Sequence, residues 1–162
     1  MTTGERYFDD FAPGERFETA GTTLTESMLL DFAYRYDPQP FHLDVHAARQ
    51  SVYEGLIASG FQTLVHAYRM FISQGVFAAC SMGSPAMDEV RWAQPVRPGD
   101  TLRVAGAVRE MRPSRSKPDR GFLRMDYRVL NQDDVAVMTF SITHMLARRP
   151  GAAPAASAPQ GV

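Results

Sequence analysis

Apolar and polar positions change their period partway along this chain, and the change outlines its architecture. After a turn at Pro13-Gly14, Arg16 to Thr22 reads as a short strand. Thr23 or Thr25 then caps a helix whose apolar residues Met28, Leu29, Phe32, Ala33 and Tyr36 fall at helical spacing and which stops at Asp37. A short helix follows Asp44 through Ala47 and Ala48 and ends by Gly55. Phe61, Leu64, Val65, Tyr68, Phe71, Ile72, Val76, Phe77 and Ala79 then mark a helix of about five turns that is apolar on nearly every side, so it has to be wrapped. The wrapping follows. Met87 to Ala93, Thr101 to Glu110, Gly121 to Leu130 and Val135 to Ala147 alternate or run apolar at strand period, separated by Pro-Gly and Asn-Gln-Asp-Asp turns. Strands in succession after one long helix predict an α+β domain, a curled antiparallel sheet around that helix.

At 162 residues and 44% hydrophobic content the chain holds one domain with a real core, expected over 1–149. The tail 150–162 is nearly all Ala, Pro, Gly and Ser and reads as disordered. Seventeen Lys and Arg against eighteen Asp and Glu leave a net charge of −1, which argues against nucleic acid as a partner. The polar start Met1-Thr2-Thr3-Gly4-Glu5-Arg6 lacks the basic and apolar regions of a signal peptide, and no apolar run reaches membrane length. The single Cys80 cannot form an internal disulfide, which suits a cytoplasmic location, and its apolar surroundings predict a buried, inert thiol.

Candidate chemistry is concentrated in Asp37-Pro38-Gln39-Pro40-Phe41-His42-Leu43-Asp44. Each proline fixes its own φ and pushes the preceding residue out of helix, so the segment is a stiff hook carrying a carboxylate and an imidazole five residues apart. Two such groups held together can share a water, as general acid–base catalysis requires. A helix-ending loop with a capping Asp and a surface His is the plainer alternative. The pair Ser59-Gly60 closes the apolar segment Leu56-Ile57-Ala58, eighteen residues after His42.

Together these residues resemble the MaoC-like, (R)-specific enoyl-CoA hydratase family, in which Asp-x-Asn-Pro-x-His-x-Asp precedes, at this separation, a His-Gly or Ser-Gly pair opening a long helix. The matching positions are Asp37, Gln39, Pro40, His42, Asp44, Ser59 and Gly60. Val90-Arg91-Trp92-Ala93-Gln94-Pro95-Val96-Arg97-Pro98-Gly99-Asp100-Thr101-Leu102 extends the likeness, which spans roughly residues 7 to 147. Gln39 stands where the best-known hydratases carry Asn, and Ser59 where many carry His.

The resemblance implies the hotdog fold and a hydro-lyase that adds water reversibly to a trans-2-enoyl thioester, giving a 3-hydroxyacyl thioester. It makes Asp37 and His42 the catalytic pair, one removing the proton of the water while the other orients it. Gly60, opening the long helix where N–H groups lack partners and the dipole favours negative charge, is the expected donor to the thioester oxygen. Ser59 reads as the helix N-cap or as a substrate contact, Asp44 as a cap, and Gln39 as a residue that steadies Asp37 or the substrate. Arg115 and Lys117 belong to a basic loop with Arg109, Arg112 and Arg120, either solvated or aimed at the phosphates of coenzyme A. Coenzyme A would be part of the substrate, so no separate cofactor is expected, and His46, His66 and His144 show no metal-ligand spacing. His66 and His144 read as core histidines with satisfied hydrogen bonds. A homodimer is expected, because a single curled sheet leaves an edge to be covered. The competing functions are a hotdog thioesterase and a catalytically silent acyl-CoA binding subunit.

Overall fold

The computed structural model describes residues 5–151. After a 3-10 turn at Phe8–Asp10 come β1 (Arg16–Glu18), β2 (Thr22–Thr23), α1 (Glu26–Tyr36), α2 (Pro40–Leu43), α3 (Val45–Arg49) and α4 (Gly60–Ile72). The strands β3 (Ala86–Trp92), β4 (Thr101–Pro113), β5 (Arg120–Leu130) and β6 (Ala136–Ala147) complete the order. The sheet is antiparallel and runs β1-β4-β5-β6-β3, with β2 also paired to β4. The long strands alternate as expected: Leu102, Val104, Leu123, Met125, Tyr127, Phe140 and Ile142 are buried on the concave face, against Phe71 of α4. Each such side chain contributes about 1.5–3 kcal/mol through burial. Among the described residues no helix is long and apolar enough to cross a membrane.

Four details depart from the sequence pattern. The first strand is broken into β1 and β2, with Gly21 pressed against the Thr101 side chain between them. Inside the hook, Pro40 starts the one-turn helix α2 instead of an extended segment; proline suits a first helical position, where its missing N–H costs nothing. The long helix ends at Ile72, well before Ala79, and a series of turns carries the chain to Cys80. Gly75, at φ 73°, sits in the left-handed conformation that closes helices, and Val76 and Phe77 still pack on the core from those turns. Finally, α4 is not wrapped on all sides. Gln62, Thr63 and His66 are buried, whereas Phe61, Val65, Tyr68 and Ile72 form an exposed apolar stripe at helical spacing. The tail residues 152–162 lie outside the described residues.

Candidate active site

Three segments meet at the N-terminus of α4. Thr25 caps α1 by accepting from the Met28 N–H, and the helix runs to Asp37, where Pro38 and Pro40 turn the chain into α2. His42 therefore sits one helical turn past the bend, with its N–H donated to the Gln39 carbonyl at 2.9 Å. The loop before α4 is tied to the hook and to the β3–β4 connection: Ile57 N–H donates to the Phe41 carbonyl and Ala58 N–H to the Val96 carbonyl. Asp44 caps α3 through the His46 and Ala47 N–H groups, as its cap reading required.

His42 is 4% exposed, with Nδ1 at 2.9 Å from the Ile57 carbonyl oxygen. A carbonyl can only accept, so the proton is on Nδ1 and Nε2 is left for chemistry. Nε2 lies 3.4 Å from Asp37 Oδ2. That oxygen also accepts a 2.6 Å hydrogen bond from Ser59 Oγ, and Oδ1 accepts one of 2.8 Å from Gln39 Nε2. Burial works to raise the Asp37 pKa, but the hydrogen bonds from Ser59 and Gln39, with the attraction of the His42 ring whenever it is protonated, outweigh it, holding the carboxyl below its ordinary value. Asp37 is thus an ionised carboxylate braced on both oxygens.

Ser59 does two things at once. Its Oγ accepts the Phe61 N–H, capping α4, and donates its own proton to Asp37. Gly60 follows as the first residue of α4, so its N–H has no intrahelical acceptor. Asp37, Gln39, His42 and Gly60 all border one pocket of about 590 Å³, whose remaining wall is mostly apolar and includes the aromatic rings of Phe41, Tyr53, Phe61 and Trp92. The site has the size and the mixed apolar and polar lining of a small-molecule pocket.

Trp92 is the residue that spacing alone did not single out. Its Nε1 donates to the Gly60 carbonyl at 2.8 Å, and a Cβ at position 60 would lie 2.6 Å from that nitrogen. The glycine is therefore required by the indole. The basic loop is not part of this pocket. Arg115 and Lys117 lie in the β4–β5 turn, at the end of the sheet opposite the site. Val129, level with Trp92 through Met138, is eight residues along β5 from Gly121, a span of roughly 27 Å. Of the two histidines assigned to the core, His144 is satisfied by Ser84 and Tyr127, but His66 Nε2 has no partner among the described residues. Cys80 is 1% exposed, and burial pushes its thiol up to about 11.

A curled antiparallel sheet over one helix defines a hotdog protein, here with a braced carboxylate and an imidazole side by side at that helix's N-terminus. The comparison with known proteins narrows the class: residues 10–121 match the MaoC like domain, and the chain belongs to the MaoC-like dehydratase family. A crystal structure of the MaoC-like dehydratase from Rhodospirillum rubrum superposes with a TM-score of 0.84 at 34% identity, covering 90% of this chain and 99% of that one. The uncharacterized protein YdeM of Bacillus subtilis is 28% identical over 140 residues, covering 86% of this chain and 98% of its own length. The R-hydratase PhaJ1 of Pseudomonas aeruginosa shares the fold, with a TM-score of 0.67 at 24% identity over 88% of this chain and 86% of that one.

Proposed function

We propose that this protein is an acyl-CoA hydratase/dehydratase that adds water reversibly across the double bond of a trans-2-enoyl-CoA. The observation that carries this reading is the convergence of Asp37 Oδ2 and His42 Nε2, 3.4 Å apart, beside the unpartnered helix N-terminus at Gly60. Water attacks C3 poorly without a base, and attack drives negative charge onto the thioester oxygen. His42 Nε2 takes one proton from the water. The hydrogen bonds that hold Asp37 ionised also lower its basicity, which suits that carboxylate to orienting the water. Asp37 orients the water by accepting its second hydrogen. Hydroxide adds to C3, the Gly60 N–H receives the enolate oxygen, and the proton on Nε2 is returned to C2, leaving the enzyme as it began.

The test is spectrophotometric. Purified protein should bleach the conjugated thioester of a short trans-2-enoyl-CoA without releasing free thiol. Thiol release would instead make it a thioesterase, and neither bleaching nor thiol release would leave a binding subunit. The exposed stripe Phe61, Val65, Tyr68 and Ile72, together with the edge strand β3, supports assembly as a homodimer, to be checked by light scattering at micromolar concentration.

A further inference from the structure

Strand β3 is interrupted in a way that bears on the pocket. Ala86, Met87 and Asp88 pair with Thr143, Ile142 and Ser141, while Arg91 and Trp92 pair with Thr139 and Met138, so Glu89 and Val90 together oppose Phe140. Glu89 has φ 57°, the left-handed region that a residue with a Cβ seldom enters and that is foreign to a strand. Regular alternation would put Asp88, Val90 and Trp92 on one face. The bulge shifts the parity. Asp88 and Glu89 both lie on the outer face, where Arg124 Nη1 meets Asp88 at 3.0 Å and Glu89 is held by Arg109 at 3.2 Å, Ser141 Oγ at 3.1 Å and Arg124 Nη2 at 3.6 Å. Val90 then packs on the core, and Trp92 turns inward to Gly60.

We propose that Trp92 is the wall against which the acyl thioester lies, and that Glu89, which does not touch the pocket, is the positioning residue that turns Trp92 inward through the bulge. The proposal deepens the hydratase reading and rests on it. Strained backbone persists only where its surroundings hold it, and here Arg109, Arg124 and Ser141, on three other strands, hold one side chain. What the strain accomplishes is visible at the other end of the bulge. The indole donates to the Gly60 carbonyl, lies against the Gly60 Cα and meets Phe61 edge-to-face at 6.1 Å between centroids. It thereby flanks the N–H assigned to the thioester oxygen, so its lateral position sets how the enoyl group is presented to Asp37 and His42.

Trp92 is the only tryptophan, so its emission reports its place directly. Glu89→Gln removes the charge that anchors the bulge but keeps the Cβ that opposes positive φ; Glu89→Gly removes both. In the full-length protein without ligand, Glu89→Gln should red-shift the emission and raise acrylamide quenching. It should also raise KM for a trans-2-enoyl-CoA about tenfold while kcat changes less. Glu89→Gly should bring emission and KM back toward wild type, since glycine adopts the bulge conformation without the anchor. In the background of Trp92→Ala, Glu89→Gln should change KM no further. Should Glu89→Gln fail to fold, Arg109→Gln cuts one of the same pairs from β4 and should give the same shift in smaller measure. Wild-type emission and KM in a folded Glu89→Gln, or a larger displacement in Glu89→Gly than in Glu89→Gln, would overturn the proposal. The emission arms need no turnover. If the wild type hydrates no enoyl thioester, the proposed function fails while the link from Glu89 to Trp92 is still decided.

Discussion

Two histidines in this molecule are almost equally buried, and only one of them has a ring nitrogen left without a hydrogen bond. His42, 4% exposed, is fixed at Nδ1 by the Ile57 carbonyl and faces Asp37 with Nε2. His144, 2% exposed, is fixed at Nδ1 by Ser84 Oγ at 3.0 Å and at Nε2 by Tyr127 OH at 2.7 Å. The partners make the difference. His144 lies between two neutral hydroxyls and against the Phe77 ring at 4.7 Å, and burial pushes the Tyr127 hydroxyl further from ionisation. His42 opens onto a pocket and onto a carboxylate kept ionised by its own hydrogen bonds. Burial therefore does not by itself separate the two histidines; what does is a free ring nitrogen, an ionised neighbour and access to the pocket.

The largest effect that can test this contrast is on turnover. Asp37→Asn and His42→Ala should each lower hydration of a trans-2-enoyl-CoA by about a hundredfold or more, the scale of losing a general acid or base. The double variant should be little worse than the poorer single one, because both groups act on one water. His144→Gln should leave kcat near wild type. Equal losses at His42 and His144, measured on folded protein, would erase the distinction.

The converse effect falls on stability. Burial lowers the His144 pKa to about 4 from 6.5, so between those values the unfolded chain binds a proton that the folded one refuses. The contribution is complete above pH 6.5 and declines as pH falls toward 4, amounting to about 3 kcal/mol over the window. Urea unfolding across this range should show the acid-side loss in wild type and a flatter profile in His144→Gln.

Ser59→Ala should have a smaller, double consequence. Loss of the cap on α4 should reduce stability by about 1 kcal/mol. Loss of the hydrogen bond to Asp37 Oδ2 should let that carboxyl rise toward its ordinary value and leave it free to turn, lowering kcat by about threefold to tenfold because the water is less well oriented. An unchanged kcat in folded Ser59→Ala would show that Gln39 alone is enough to hold the carboxylate.

Much of this was legible in the residues. Two prolines and the end of the apolar period at Tyr36 located the hook, and alternation located four strands to within a few residues. The errors have physical causes. Val76 and Phe77 keep an apolar pattern through a turn because they still face the core, so periodicity overran the end of α4. The stripe on α4 looked like core because hydrophobicity cannot say whether a face is covered by its own chain. The bulge had left a mark: in Met87-Asp88-Glu89-Val90-Arg91-Trp92 the alternation slips by one at Asp88-Glu89, and only that slip puts Trp92 on the inner face. Ser59 bracing Asp37 left none, since the two are twenty-two residues apart and meet only through the fold.

The smallest expected effect belongs to the basic loop. Arg115 and Lys117 were candidates for the phosphates of coenzyme A because Arg and Lys beside serines suit that chemistry. Strand direction places them elsewhere: β4 starts near the site and runs thirteen residues away before the turn that carries them. Within one chain they act on the substrate only through the long-range field, which salt screens over about 10 Å at 0.1 M. Replacing both by Ala should therefore lower kcat/KM by no more than about threefold at low ionic strength, with kcat unchanged, and the difference should vanish as salt is added. A rise in KM well beyond this, persisting in salt, would mean that the loop touches the phosphates directly. Only a second chain could present it there, and the pocket at Asp37 and His42 would then be completed across a dimer.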